Sequence, residues 1–551
     1  MQRVLASTCA GLSGTNVPPT LIDCLLYFSM FPPNHHVRKN SLIRRWLAEG
    51  MKHNVDRKEF NLEEHIERLI DRSIIQPMEV STRGDVKGCK ASSLMYEYIF
   101  HRSKSEEFMA VLSDVMDNGF ERKGYVRRLS IHATETGIAE ERLPDDLSHL
   151  HTLAVFGTEK PEVTKDLANG LCGNKGVLAK YKILRVLDLK ECAGMKGKHL
   201  QTICDLLLLK YLSLGDSIVR VPRKIAQLKL LETLDLSRTN VVTVYMQVLG
   251  LPSLTHLLGK VRLSKWDCIF RMEKLKRFVR NKCKLDTLGG FTTGKSEAFP
   301  QLIGHMRQLN KVKIWIHPAA DTRNLEHLTE GIKEFIRKSR FESNVGRSLS
   351  VDFSECVHEH AERSLDFLKQ NVNIPDNNTQ GAQITHEGDA NQCLGSNAGS
   401  TSNQIMNIKN NIQEQQTEEI QEPKQEIAGI ERLCLSSTGL SGENIAYALS
   451  ELPDLFYLKL REDDLSLLDL QNKQFPSLRR ICFSVKDGNL PRPTIIKHFH
   501  NLREVYLYAN LNYEERRSWK AASESHPERP RVYFAESTCK GTSSEAVTQS
   551  Q

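Results

Sequence analysis

Hydrophobic residues return in this chain with the spacing L-x-x-L-x-L. The motif begins at Leu184, Leu209 and Leu231, and with related apolar residues it begins again at residues 430, 455, 478 and 502. The steps between neighbouring copies within each group are 25, 22, 25, 23 and 24 residues. This period is typical of leucine-rich repeats, in which each unit adds one short strand to a curved parallel array and cannot bury its leucines alone. The pattern predicts repeats over residues 147–371 and 429–535.

The first 115 residues carry no such repeat. Their apolar positions predict one helix stopped by Pro32 and Pro33, a second capped by Ser41 and ended by Gly50, and a third that begins near Leu62. Two short extended runs joined by a turn follow in residues 74–91. Three helices and a hairpin predict a winged helix. The predicted fold is therefore an α/β repeat solenoid, a leucine-rich-repeat horseshoe, preceded by a small winged-helix domain, with residues 116–146 as a linker.

Two segments lack the apolar content of a folded core. Residues 372–428 are rich in Asn, Gln, Gly, Ser and Glu, and residues 536–551 form a polar end. Such segments cannot bury enough apolar surface to offset the loss of chain entropy. We predict a disordered insert and a disordered tail.

Composition narrows the class of protein only slightly. The chain has 551 residues, 40% of them hydrophobic and 26% charged, and its net charge of +7 favours acidic partners only weakly. It has no apolar run of the roughly 18 residues that a membrane span needs, and no secretory leader is recognisable at its start. The 13 cysteines are scattered. We expect a cytoplasmic protein without a membrane span, and nuclear or membrane-peripheral locations stay open.

Several stretches resemble a known family. CLLYFSMFP (residues 24–32), LIRRWLAEG (residues 42–50) and LIDRSIIQP (residues 69–77) closely resemble the winged-helix subdomain of plant intracellular nucleotide-binding leucine-rich-repeat (NLR) disease resistance proteins of the cereal coiled-coil type. Residues 221–239 look like the plant cytoplasmic repeat variant. The resemblance implies a role in defence, with repeats that recognise a pathogen effector or a guarded host protein. Other NLR receptors are further partners that it suggests.

The chain departs from the family pattern in two places. It starts just before the winged helix, so we expect no nucleotide-binding core, no enzyme activity, and ADP or ATP as a cofactor only if the missing domain is supplied. Ser92 and Ser93 stand where the family has His and Asp of its Met-His-Asp motif, which contacts bound ADP. A hydroxyl carries no charge, so the resemblance implies a weakened latch. The expected protein is a truncated receptor; a non-signalling scaffold or adaptor, or a regulator of full-length receptors, is the alternative.

One short motif matches a phosphate-binding loop. Gly289, Gly294, Lys295 and Ser296 fit the spelling G-x-x-x-x-G-K-S/T, whose backbone N–H groups and lysine hold phosphates. That chemistry needs a buried strand before the loop and a helix after it. The preceding residues make a poor strand, and Pro300 would fall in the first turn of the helix. We favour an ordinary loop, and a nucleotide-binding protein using Lys295 is the weaker alternative.

Basic and metal-ligating residues are also present. Arg38, Lys39, Arg44 and Arg45 could contact DNA phosphates, but basic residues on a helix usually form its solvated face, and we expect no direct DNA binding. Cys356, His358 and His360 are close in sequence, yet they alternate as on a strand edge or loop and have no second ligand pair. We expect no metal site.

The remaining candidate is the concave face of the repeats. The residues that flank the last two leucines of each motif point toward it, which predicts that Tyr211, Thr233, Asp235 and Ser237 are exposed. Tyr and Arg are favoured in binding surfaces because they bury large areas and keep hydrogen-bonding tips. The late repeats supply more of them than the early ones. The predicted protein-binding residues are Tyr457, Lys459, Arg461, Arg480, Tyr506 and Tyr508.

Overall fold

The structure is a computed structural model, and it describes most of the predicted folded regions. The described residues all belong to one compact unit. The predicted insert at 372–428 and the tail at 536–551 lie outside them. The described residues are 19–51, 62–80, 86–113, 125–133, 147–157, 161–172, 177–215, 218–240, 242–264, 272–293, 298–317, 322–337, 347–354, 430–437, 445, 452, 454–468, 470, 475–485 and 489–535.

The N-terminal part is a winged helix built around Trp46, which is fully buried. Helix α2 ends where the sequence predicts, because Gly50 takes a left-handed conformation with φ 95° and its N–H donates to the carbonyls of Trp46 and Leu47. The strands form a small antiparallel sheet in the order β1-β3-β2. The elements are α1 (Pro19–Leu26), a 3₁₀ turn (Tyr27–Met30), β1 (Val37–Arg38), α2 (Lys39–Glu49), α3 (Leu62–Asp71), β2 (Ile75–Val80), β3 (Val86–Ala91) and α4 (Ser93–Ser105).

Helix α2 begins differently from the prediction. Its first residue is Lys39, and Arg38 at the N-cap position makes no side-chain cap bond. Ser41 therefore lies inside the first turn and does not cap the helix. Its hydroxyl group instead lies 3.2 Å from the hydroxyl group of Tyr211, which belongs to the repeats. The cap prediction was wrong because a serine near a helix start can also serve a tertiary contact.

The rest of the described chain is a parallel strand ladder with helices and turns between its strands. The strands are β4 (Ala110–Ser113), β5 (Arg128–His132), β6 (Thr152–Phe156), β7 (Val186–Leu189), β8 (Tyr211–Leu214), β9 (Thr233–Asp235), β10 (Val242–Val244), β11 (His256–Leu258), β12 (Val261–Leu263), β13 (Thr287–Thr292), β14 (Lys311–Trp315), β15 (Arg347–Asp352), β16 (Ile430–Ser436), β17 (Tyr457–Glu462), β18 (Arg480–Val485), β19 (Glu504–Tyr508) and β20 (Arg531–Ala535). The α-helices are α5 (Pro161–Cys172), α6 (Gly197–Ile203), α7 (Met246–Leu249), α8 (Met272–Lys282), α9 (Ala298–Leu302), α10 (Thr322–Arg337) and α11 (Tyr513–Glu524), and 3₁₀ turns span Val177–Lys180, Arg223–Gln227, Ile303–His305 and Pro493–His498.

The strand register confirms the solenoid. The central apolar residue of each motif pairs with its counterpart in the next repeat, as Leu187 does with Leu212 and Leu212 with Leu234. The same row continues through the late strands, where Leu458 pairs with Ile481. These residues lie in one continuous core that joins all the repeats. Strands β10 and β12 form a short parallel pair beside this ladder. Stacking thus buries leucines that a single unit would leave in water.

The ladder begins earlier than the sequence prediction placed it. Strand β4 pairs with β5, and β5 pairs with β6, so repeats start at Ala110 rather than at residue 147. Both strands fall in segments assigned to the winged helix and the linker. Val126, Leu129 and Ile131 keep the motif spacing with β-branched residues at its ends, and all three are buried. Counting leucines therefore missed a repeat whose core positions are equally apolar.

Two adjacent strands are far apart in sequence. Residues 355–429, which lie outside the described ranges, stand between Ser354 and β16 in the sequence. Strand β16 nevertheless pairs directly with β15, with Leu349 opposite Leu433 and Val351 opposite Leu435. The core row of leucines thus continues across this interruption without a missing step.

Strand β13 contains a glycine whose side-chain space is already occupied. The register shifts between Leu288 and Phe291, and Gly290 lies in this irregularity. A Cβ atom at Gly290 would lie 1.6 Å from Cζ3 of Trp315 on the next strand. Gly290 thus lets the ring of Trp315 cover the backbone of β13 at close range.

We expect Gly290→Ala to lower the free energy of unfolding by about 1–3 kcal/mol, because the new methyl group forces Trp315 or the strand to move. Gly197→Ala is the control, since a Cβ at Gly197 meets nothing within 4 Å. Urea unfolding of both variants measures the difference. Equal stability of the two variants would contradict the steric assignment.

Candidate protein-binding surface

The strands present one face to the leucine core, and we call the opposite face the polar face of the ladder. Its side chains alternate with the core residues, since successive residues of a strand point to opposite sides. Pairing places equivalent positions side by side, so that Tyr457 lies beside Arg480 and Lys459 beside Cys482. The early polar face comprises β4–β9, and the late polar face comprises β14–β20. The two halves have different surroundings.

The winged helix covers part of the early polar face through α2. The Arg45 guanidinium group makes an ion pair with the Asp188 carboxylate, and the two side chains are only 6% and 2% exposed. The guanidinium carbon also lies 5.4 Å from the ring centroids of Phe31 and Tyr211. Burial alone would lower the pKa of Arg45, but its interactions with Asp188, Tyr211 and Tyr27 together outweigh that effect, and the pKa is raised. The Arg45 guanidinium group therefore stays charged inside the interface.

A second contact joins the end of the 3₁₀ turn to β5. The Met30 carbonyl accepts a hydrogen bond from the Ser130 hydroxyl group at 2.6 Å and lies 2.9 Å from Nε2 of His132. His35 lies against Phe156, with ring centroids 5.1 Å apart. Burial lowers the pKa of both His35 and His132 to about 4. Both imidazoles are therefore neutral at neutral pH, as the apolar surroundings require.

Glu49, the last residue of α2, completes the interface. Its carboxylate accepts a hydrogen bond from Nε of Arg128 at 3.1 Å, and its backbone carbonyl accepts one from Nη1 of Arg185 at 3.2 Å. Burial raises the pKa of Glu49 although Arg128 opposes that shift. The helix is thus held to the repeats at its start by Ser41, near its middle by Arg45 and at its end by Glu49. It lies against the strands along its whole length.

These contacts overturn the exposure predicted for the early repeats. Tyr211, Thr233 and Asp235 are at most 2% exposed, and Ser237 is the exposed member of that set. Asp235 accepts a hydrogen bond from Nζ of Lys190 at 3.1 Å, and Lys190 together with Ser237 lowers the pKa of Asp235 despite its burial. The prediction was wrong because strand alternation shows where a side chain points but not what packs against it.

The interface also changes the interpretation of the basic residues on α2. Arg45 does not belong to a solvated face, because Asp188 binds it in the interior. Arg44 is half-buried, and the carboxylates of Asp235 and Asp286 act on its charge. The sequence contained a signal for this arrangement. In two of the repeat motifs, LRVLDL and LETLDL, Asp stands between the last two leucines. Acidic residues there complement a basic helix.

The late polar face carries the predicted binding residues together. Tyr457, Lys459 and Arg461 lie on β17, Arg480 on β18, and Tyr506 and Tyr508 on β19, so all six occupy three neighbouring strands. Arg461 is exposed, and the other five are half-buried. Their geometry supports the proposed grouping, while their role in binding stays a prediction.

Contacts within the late polar face orient several of these groups. The Lys459 ammonium lies 5.3 Å from the Tyr508 ring centroid. Nε of Arg480 lies 3.0 Å from the Glu504 carboxylate. Tyr506 stacks on Tyr533 of the last strand, with centroids 4.6 Å apart and planes inclined by 15°. Ring faces and cationic groups are therefore held in fixed positions before any partner arrives.

Ser92 and Ser93, at the position of the Met-His-Asp motif, lie at the start of α4. Ser92 is the N-cap residue, and its Oγ accepts a hydrogen bond from the Met95 N–H at 3.4 Å. The Ser93 hydroxyl group donates to Oδ1 of Asn34 at 3.2 Å. Ser92 thus has a structural role in starting the helix. The weakened nucleotide latch that the resemblance implies at these two residues stays a prediction.

The motif with the spelling of a phosphate-binding loop begins inside a strand. Gly289 is part of β13, and a Cβ there would lie 2.9 Å from Cα of Leu258. In a phosphate-binding loop the first glycine follows the strand, so the arrangement here differs from that geometry. Gly294, Lys295 and Ser296 lie outside the described residues, as do Cys356, His358 and His360. No helix in the described ranges is long and apolar enough to cross a membrane.

The fold and its interface define the class of protein as a winged helix joined to a leucine-rich-repeat solenoid. A model of the disease resistance protein winged helix domain matches residues 30–99, and a model of a leucine-rich repeat region matches residues 170–339. The chain is 34% identical over 569 aligned residues to disease resistance protein RGA4 of Oryza sativa subsp. japonica, and the alignment covers 98% of this chain. Over nearly its whole length, the chain is homologous to plant NLR disease resistance proteins.

The extent of these similarities differs. The chain spans about half the length of RGA4, of which 50% is covered. Disease resistance protein Pik-2 of the same species is 30% identical over 269 residues, which is 48% of this chain and 25% of that protein. A solved leucine-rich-repeat protein of Leptospira interrogans has a TM-score of 0.26 and 14% identity, and it covers 75% of this chain and 97% of its own. The fold assignment rests on the strand register instead.

We expect Arg45→Met or Asp188→Asn to lower the free energy of unfolding by about 3–5 kcal/mol, because each leaves the other charge buried without its partner. The double variant should lose less than the sum of the two. Lys224→Met is the control, because Lys224 and Asp205 form a largely exposed pair at 2.7 Å, for which the expected loss is below about 1 kcal/mol. Urea unfolding of all four proteins gives the coupling energy, and strict additivity would contradict the assigned pair.

The neutral histidines predict a stability that depends on pH. The folded-state pKa of His132 is about 4, below its unfolded value, which is about 6.5. Acidification therefore protonates the unfolded chain first, and the free energy of unfolding falls between these two values. We expect His132→Gln to flatten this fall in thermal unfolding measured across the pH range. His500→Gln, at an exposed position, should leave it unchanged, and an equal effect of both variants would refute the prediction.

Proposed function

We propose that this chain recognises another protein through its late polar face, as part of a plant defence response. The supporting observation is the division of the ladder: the winged helix packs on the early polar face, whereas Arg461 on β17 is exposed and Tyr457, Tyr506 and Tyr508 are half-buried. Tyr and Arg dominate binding energy in many protein interfaces. The preset ring stacking reduces the conformational entropy that binding would otherwise cost.

The partner in this proposal is a pathogen effector or a host protein that the receptor guards, and the cell compartment is the cytoplasm. Homology supports the link to defence, because the relatives are disease resistance proteins. Contact with other NLR receptors is a further possibility within the same proposal, and it would make the chain a regulator of full-length receptors. The chain acts by binding in each of these cases, and no catalytic step is assigned to it.

The experiment compares proximity labelling by the full chain and two variants in leaf cells. The test variant replaces Tyr457, Lys459, Tyr506 and Tyr508 by Ala. The control replaces Tyr513, Arg517 and Lys520 on α11 and Lys497 by Ala, all of them exposed. We expect the control to label the same defence-related proteins as the wild type and the test variant to lose them. A purified partner should then bind the test variant at least about tenfold more weakly, as expected for loss of hot-spot side chains.

Thermal unfolding and circular dichroism must show that the test variant folds. If a folded test variant keeps the labelled set and the affinity of the purified partner, the late polar face is not the recognition surface. If the partners that depend on the face are housekeeping components with no role in defence, the chain is a scaffold instead.

A further inference from the structure

The two halves of the polar face differ in the sign of their charge. In the early polar face, Asp188 and Asp235 are the carboxylates, and the winged helix brings the cationic Arg44 and Arg45 to them. The pairing register of β14–β20 defines 21 positions on the late polar face, of which seven are Lys or Arg and two are Asp or Glu. The protein's own interface pairs charges of opposite sign, Arg45 with Asp188 and Glu49 with Arg128, whereas the late half carries an excess of positive charge.

The few carboxylates of the late polar face are already engaged. Asp352 lies 3.8 Å from Nζ of Lys313, and Glu504 lies 3.0 Å from Nε of Arg480. The seven cationic side chains of this surface therefore outnumber its two acidic groups. Like charges held close together repel one another, and a ligand that carries negative charge relieves that repulsion. The surface is preset for an anionic partner.

Positive groups from both parts of the chain act on Lys311 of β14. Lys311 is solvent-accessible, yet surrounding protein atoms limit its hydration, and Arg44, Arg432 and Lys87 add positive potential; together they lower the pKa of Lys311. Lys87 belongs to the winged helix, so positive groups from both parts of the chain meet there. The positive potential is thus concentrated between the winged helix and the late strands.

Tyrosines interleave with these charges and point to a protein ligand. The stacked pair Tyr506 and Tyr533 offers an extended ring surface beside Arg531, and Tyr457 pairs in register with Arg432. Neighbouring strands are about 4.8 Å apart, so basic groups recur across the sheet at spacings that side chains of a polypeptide can match. A polypeptide segment can supply carboxylates for the cationic groups and apolar side chains for the tyrosine rings. A segment of such mixed polarity fits this surface.

We propose that the late polar face binds an acidic segment of a partner protein, whose Asp and Glu side chains contact Arg432, Lys459, Arg461 and Arg531 while its apolar groups pack on the tyrosines. This inference rests on the proposed function and specifies the chemistry of its partner. A second copy of this chain is a poor occupant, because its net charge of +7 has the same sign as the surface.

The test uses the purified full chain and fluorescence anisotropy with three labelled probes. The first is a short peptide with Asp or Glu at every second position and Tyr or Leu between them. The second has Asn and Gln in place of the acids, and the third is single-stranded DNA of similar length. The test variant is Arg461→Glu with Arg531→Glu, and the control is Arg517→Glu with Lys520→Glu on α11. All four positions are exposed, and the charge change is the same.

We expect the acidic peptide to bind, its affinity to fall as salt is added, and the test variant to weaken binding about tenfold or more, because like charges then face each other. The control should bind as the wild type does. The inference is overturned if the neutral peptide binds equally well, if the control loses as much affinity as the test variant, or if DNA binds more tightly than the acidic peptide.

The labelling experiment distinguishes this failure from that of the proposed function. A partner that needs Tyr457 and Tyr506 but is insensitive to salt and to the charge reversal leaves the recognition surface in place and refutes its acidic specificity. If none of the late-face variants weakens the binding of the partner, both proposals are refuted.

Discussion

The buried ion pair between Arg45 and Asp188 is the interaction on which the organisation of this molecule depends. Neither charge can remain in the interior without the other, because the loss of hydration of a single buried charge costs several kcal/mol. The pair therefore ties α2 to β7 of the ladder, and the contacts of Ser41 and Glu49 set the direction of the helix. Once the helix is seated, part of the sheet face becomes interior. The late polar face is the half that keeps its access to solvent.

Periodicity predicted the architecture well, because the constraint behind it is simple. Leu187, Leu212 and Leu234 must occupy equivalent places if each repeat is to cover the next, and the register shows that they do. The same reasoning missed the first strands, where Val126 and Ile131 replace leucine in the same apolar role. The spacing of residues in a sequence also gives no information about which element packs on the polar face of a strand. The burial of Tyr211 could not be inferred for that reason, although the grouping of Tyr457, Tyr506 and Tyr508 on neighbouring strands followed directly from the repeat length.

Short motifs proved less informative than long patterns. Gly289 matches the first position of a phosphate-binding loop, yet it lies in a strand together with Gly290, and the space that Gly290 leaves is filled by the ring of Trp315. Glycine serves close packing there, and the letters alone could not separate that use from another. The charges of α2 teach the same lesson, since a basic helix that looks like a solvated face is partly an internal connector. In both cases the neighbouring element, distant in sequence, decides the role of the residue.

The direct pairing of β15 with β16 has a consequence for how substitutions on these two strands combine. Residues that lie far apart in sequence are neighbours in the ladder, with Leu349 opposite Leu433 and Val351 opposite Leu435. A smaller side chain on one of these strands leaves a space that is lined in part by the other strand, and the stability effects of substitutions at contacting positions are in general not additive. The two stretches of sequence that carry β15 and β16 therefore form one thermodynamically coupled unit.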